Sequence, residues 1–101
     1  MKLKKFTSFS FAIFCLNSNA LLASTYMAGS GANASSSQAT AVGHSSSASQ
    51  LGATAFGTSS GATGAYSLAV GSSSTASSSY STALGNYSTS TAIGSVAIGG
   101  Q

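Results

Sequence analysis

The 101-residue sequence contains no aspartate, glutamate, proline or tryptophan, and only one cysteine and one histidine. Without carboxylates there can be no paired-carboxylate acid–base chemistry and no hard-cation site of the EF-hand kind. One cysteine permits no internal disulfide. A histidine lacking cysteine or carboxylate partners does not make a zinc site, so neither a metal nor a cofactor is expected. Charge is scarce too: 3% of residues are charged, against about 25% in an ordinary soluble domain. The three charges are Lys2, Lys4 and Lys5. The net charge of +3 and the pI near 9.4 therefore describe the first five residues. The rest of the chain lacks the lysine and arginine that phosphate binding needs, which excludes a nucleic-acid partner.

What is present falls into two parts. Behind the lysines, the run from Phe6 to Leu16 holds four of the five phenylalanines and Cys15. The polar Asn17-Ser18-Asn19 and the small-residue stretch Ala20-Leu21-Leu22-Ala23-Ser24 follow. A basic start, a short apolar run and a small-residue exit describe a secretory signal peptide, here residues 1–23. Cleavage is expected after Ala23, with Ala20 as the second choice. The apolar run is too short for a spanning helix, which needs about 20 residues, so no membrane insertion is expected of this segment. Phe14, just before Cys15, is too bulky for a lipoprotein cleavage site.

The remainder is dominated by serine, alanine, glycine and threonine, and it repeats. Ala-apolar-Gly recurs at Ala41-Val42-Gly43, Ala55-Phe56-Gly57, Ala69-Val70-Gly71, Ala83-Leu84-Gly85 and Ala97-Ile98-Gly99, always 14 residues apart. Further columns keep the same register: Thr40, Thr54, Leu68, Thr82, Val96; Ser46, Ser60, Ser74, Ser88; and Ala48, Ala62, Ala76, Ser90. Copies span 39–52, 53–66, 67–80 and 81–94, with a fifth cut off at 95–101. Residues 24–38 form a degenerate first repeat or N-terminal cap, in which Gly29 and Ala34 hold register.

Fourteen residues is too short for a helix-pair repeat, and serine and glycine are poor helix formers. Alternation of period two within each copy predicts two strands of four or five residues joined by tight turns. Gly43, Gly57, Gly71, Gly85 and Gly99 are the expected turn residues, since glycine accepts positive φ. Stacked copies would lie about 4.8 Å apart, giving an all-β parallel β-roll, or β-solenoid, of 14-residue coils. Its core is expected to be Val42, Phe56, Leu68, Val70, Leu84, Val96 and Ile98, with Leu51 and Ile93 covering one side. Ala41, Ala55, Ala69, Ala83 and Ala97 are then expected to point away from the interior. An unvaried small residue on an outer face suggests close contact with another subunit, so an obligate oligomer is expected.

The segments Ser95-Val96-Ala97-Ile98-Gly99, Ser67-Leu68-Ala69-Val70-Gly71 and Ser81-Thr82-Ala83-Leu84-Gly85 resemble the head repeat of trimeric autotransporter adhesins, the YadA-like head. The resemblance covers 39–101 well and 25–38 loosely. It implies a left-handed parallel β-roll, a homotrimer, attachment to host surfaces or extracellular-matrix proteins, and display on the outer membrane of a Gram-negative-type bacterium. The family motif opens with Asn before Ser-Val-Ala-Ile-Gly, whereas that position here reads Gln38, Gly52, Tyr66, Tyr80 and Gly94. The fold expectation survives, because the apolar and glycine columns shape the coil, but specific collagen binding loses its support. Family members continue into a neck, a coiled-coil stalk and a membrane anchor; this chain is expected to be an N-terminal fragment or truncated product.

Little suggests an enzyme. His44 stands where Thr58, Ser72 and Asn86 stand in other copies, which makes it a solvated turn residue. Tyr66 and Tyr80 occupy equivalent positions one coil apart; an exposed aromatic ladder is one reading, and packing against a subunit neighbour or lying along the roll is the other. No residue is singled out as a ligand contact. An adhesin head is expected, with a passive spacer as the competing reading. An ice-binding solenoid is a third, weakened because the threonine column breaks at Leu68 and Val96.

Overall fold

The computed structural model describes residues 25–100. The signal peptide expected at 1–23 lies outside them. Eleven short strands alternate along the chain: β1 (Tyr26–Ala28), β2 (Asn33–Ala34), β3 (Thr40–Val42), β4 (Ser47–Ala48), β5 (Thr54–Phe56), β6 (Gly61–Ala62), β7 (Leu68–Val70), β8 (Thr75–Ala76), β9 (Thr82–Leu84), β10 (Thr89–Ser90) and β11 (Val96–Ile98). Odd strands form a six-stranded parallel sheet and even strands a five-stranded one. Every pairing is in register at a spacing of 14, so that Ala55 lies between Ala41 and Ala69, and Phe56 between Val42 and Val70. The fold is thus an all-β parallel solenoid of about five turns. The degenerate copy is itself a coil, since Tyr26, Met27 and Ala28 pair with Thr40, Ala41 and Val42.

Strands of three and two residues are shorter than the four or five expected. Turns take up the difference, and they join the ladder themselves. The amide of Ser59 donates to the carbonyl of His44 at 2.8 Å, and that of Tyr66 to Leu51 at 2.8 Å. Each turn thereby pairs with the preceding coil, and few backbone groups are left for water to satisfy. The third residue of each turn adopts left-handed φ to reach this partner: Ser45 +58°, Ser59 +59°, Ser73 +59° and Tyr87 +64° on one edge, Gln38 +62°, Tyr66 +57° and Tyr80 +62° on the other. Left-handed geometry costs a non-glycine residue about 1–2 kcal/mol. Glycine adopts it without that cost, which accounts for Gly52 (+66°) and Gly94 (+70°) at two of these positions.

The interior is the reverse of the one expected. Ala41, Ala55, Ala69 and Ala83 are sealed inside the coil at 0% exposure, together with Ala39, Ala48, Ala53, Ala62 and Ala76. Ala97, in the last coil, is half-buried. These alanines therefore cannot be the outer subunit-contact column. The residues expected as core face outward instead. Val42, Leu68, Val70 and Leu84 are half-buried, while Phe56 (52%), Val96 (62%) and Ile98 (74%) are exposed. Leu51 and Ile93 are exposed as well. The alternation was right and the face was wrong. Two sheets joined by connections of only four and five residues stand too close for a Val or Phe between them, so only Ala and Ser fit.

Inward serines complete this narrow core. Ser46, Ser60, Ser74 and Ser88 donate their hydroxyls to the carbonyls of Gly43, Gly57, Gly71 and Gly85 at 2.8–2.9 Å. Each returns to the residue three back, the same carbonyl its own amide uses at 3.2 Å. Among the described residues no buried side-chain nitrogen or oxygen lacks a partner. At the opposite end of the stack Met27 takes the alanine column's place and packs partly buried against the core.

Candidate interaction surfaces

The roll presents four surfaces. The outer face of the six-stranded sheet carries two in-register columns. One runs Tyr26, Thr40, Thr54, Leu68, Thr82, Val96; the other runs Ala28, Val42, Phe56, Val70, Leu84, Ile98. In the second column each apolar side chain stacks on the apolar side chain of the next coil, which makes a continuous stripe along the roll. The outer face of the five-stranded sheet is polar or bare, with Asn33, Ser47, Gly61, Thr75 and Thr89. An apolar stripe running in register along one face is the pattern of a surface that meets another protein.

The two turn edges also differ. The edge from Gly43 to Ser46 and its equivalents carries His44, Thr58, Ser72 and Asn86. His44 is exposed. Asn86, the nearest amide equivalent on that edge, stands three coils away, about 14 Å at the usual strand spacing. At that distance Asn86 cannot orient the imidazole. The other edge carries Leu51, Tyr66, Tyr80 and Ile93, all exposed. Tyr66 and Tyr80 stack there with ring centroids 5.5 Å apart and planes 9° from parallel. The pair expected from the sequence is thus a real ladder. An offset stack is worth about 0.5–1.5 kcal/mol, comparable with the left-handed cost of one of its members.

The recurrent glycines have two reasons to be glycine. Gly71 has φ +131°, and a Cβ built on it would lie 2.5 Å from the carbonyl oxygen of Gly85 in the next coil. Positive φ was legible in the sequence; the close approach of backbone to backbone was not. The threonine row of the six-stranded sheet is interrupted by Leu68 and Val96 and faced by an apolar column, so no paired threonine lattice forms. Among the described residues there is no cluster of three or more His, Cys, Asp or Glu, and no helix long and apolar enough to cross a membrane.

The serine hydroxyl column and the left-handed turn column went unnoticed as structural devices in the sequence. Ser46 and its equivalents were visible as a repeat, but their bond to a glycine carbonyl three residues back needed coordinates. A search of curated proteins finds no match to the chain. A family model described as "YadA head domain repeat (2 copies)" matches residues 34–60, 62–88 and 79–101, most of the chain. The matches at 34–60 and 62–88 each span about two of the 14-residue coils, and together the matches cover most of the chain, so the chain belongs to the YadA head repeat family.

Proposed function

We propose that residues 24–101 form the head of a bacterial surface adhesin that attaches to host cells or extracellular matrix as a homotrimer. Residues 1–23 direct export, and the head is displayed at the cell surface of a Gram-negative-type bacterium. One observation carries the association: the stripe Val42, Phe56, Val70, Leu84, Ile98 on one outer face, of which Phe56, with coils on both sides, is 52% exposed in a single chain. Burying such side chains contributes about 1.5–3 kcal/mol each, and association is the way this rod removes them from water. The family, an adhesin repeat, supports three chains and attachment. Binding on this reading is multivalent, with weak equivalent contacts repeated on each chain.

Sedimentation equilibrium of the mature chain tests assembly, and retention on immobilised matrix proteins and host cells tests attachment. A trimer that is retained above a scrambled-sequence control is expected. A monomer at micromolar concentration would refute the assembly; a trimer retained no better than the control would refute attachment. The uniform polar face of the five-stranded sheet favours a second reading, a passive spacer. Under it, deleting two coils leaves the parent protein's binding unchanged.

A further inference from the structure

We infer that the exposed turn edge around Tyr80 is a stacking site for an uncharged carbohydrate. Tyr66 lies over Gly52: a Cβ on Gly52 would come within 2.6 Å of the Tyr66 ring. Tyr80 stacks over Tyr66 in turn, 5.5 Å on and nearly parallel. One coil further the equivalent residue is Gly94, which has no ring to lay on Tyr80. The ladder therefore stops one ring short, and the face of Tyr80 turned toward Gly94 is free. Tyr80 is 62% exposed, and Ile93, beside Gly94, is 77% exposed. The vacancy is one coil high, about 4.8 Å, which suits a single saturated ring lying flat on the tyrosine.

The chemistry of the rim selects the ligand. Residues 25–100 hold no Asp, Glu, Lys or Arg, so a charged partner has no counter-charge and a nucleotide no phosphate contact. Exposed Ser77 and Thr91 and the half-buried Ser79 give the neighbourhood hydroxyls that donate and accept alike. A pyranose matches on both counts: one face of C–H groups to lie on the aromatic ring, and an equatorial rim of hydroxyls. The site lies on the turns joining β8 to β9 and β10 to β11, outside the apolar stripe of the six-stranded sheet. It names a ligand class for the adhesin reading and rests on that reading for its biological use.

Tyrosine-ring NMR of the mature assembly, titrated separately with methyl β-galactoside, methyl β-glucoside and methyl α-mannoside, tests the site. With at least one of these probes, the expected result is a saturable shift of Tyr80 with Tyr87 unmoved. Tyr80→Ser should abolish the response. Gly94→Tyr should weaken it by about tenfold: it fills the vacancy with the next ladder ring, in a position whose backbone already accepts tyrosine at 66 and 80. No shift of Tyr80 with any probe, an equal shift of Tyr87, or an undiminished response in Gly94→Tyr would overturn the inference. So would a Tyr80 ring shielded by a neighbouring copy. Host-cell retention measured on the unsubstituted chain separates the two readings. Retention without a glycoside response refutes the carbohydrate site alone.

Discussion

Exchanging sizes between neighbouring residues of β7 distinguishes the two faces of the roll. Ala69 is sealed between Ala55 and Ala83 with no exposed surface, while Val70 stands on the outer stripe, half-buried between Phe56 and Leu84. Ala69→Val adds two methyl groups to a gap already filled by Ala and Ser. Overpacking of this kind costs about 1–3 kcal/mol, and here the parallel register gives the neighbouring coils no freedom to slide. Val70→Ala removes the same two groups from a site that is only half-covered. At about 0.8 kcal/mol per buried methylene, halved for exposure, the loss within one chain is about 0.8 kcal/mol. Urea unfolding followed by far-ultraviolet circular dichroism, repeated over a hundredfold range of protein concentration, separates the intrachain term from any assembly term. The penalty of Ala69→Val should not change with concentration. That of Val70→Ala should grow under conditions where the stripe is buried between chains, because linkage to assembly depends on protomer concentration. If Val70→Ala proved the more damaging in the dissociated chain, the assignment of inside and outside would be wrong.

Gly71→Ala should destabilise by about 3 kcal/mol or more, from positive φ together with a Cβ 2.5 Å from the Gly85 oxygen. Gly61→Ala, in β6 with open space around it and no positive φ, should instead stabilise by about 0.4–1 kcal/mol, and the two unfolding midpoints should move in opposite directions. A double-mutant cycle on Tyr66→Gly and Tyr80→Gly should give a coupling of about 0.5–1.5 kcal/mol. Each single change also relieves a left-handed residue, so the individual effects should be near zero, and an absent coupling would show that the stack contributes nothing.

The 14-residue period, the parallel stacking and the turn glycines were all readable from residue columns, because a stacked solenoid repeats its demands once per coil. Which face was inside was read wrongly, although the sequence carried a usable signal. The stripe column changes from Val to Phe to Val to Leu to Ile between adjacent coils, volume changes that a sealed interior between two close sheets could not absorb. The unvaried Ala41–Ala55–Ala69–Ala83 column is what such an interior requires. The general expectation that large apolar residues lie inside outweighed that constraint. The tyrosine ladder was legible as equal positions one coil apart. The vacancy at Gly94 was not, since only the coordinates show that the ring of each ladder member leans over the coil before it.

Small residues inside and large ones outside move the hydrophobic stabilisation of this protein from within the chain to between chains. An alanine-serine interior buries little apolar area per residue, while fixing a residue's backbone costs about 1–2 kcal/mol. What the interior does supply is satisfied polarity: hydroxyls returned to glycine carbonyls and turn amides paired coil to coil. That arrangement fixes the shape of the coil without adding much net free energy, because each such bond replaces one to water. On the proposed trimer the missing term comes from the stripe running from Val42 to Ile98, and assembly adds to the stability of the folded chain. The same division leaves the turn edges free of the stabilising role. An edge that the fold does not need for its own stability is free to vary from coil to coil. The shift from Leu51-Gly52 through Ala65-Tyr66 and Ser79-Tyr80 to Ile93-Gly94 occurs on such an edge.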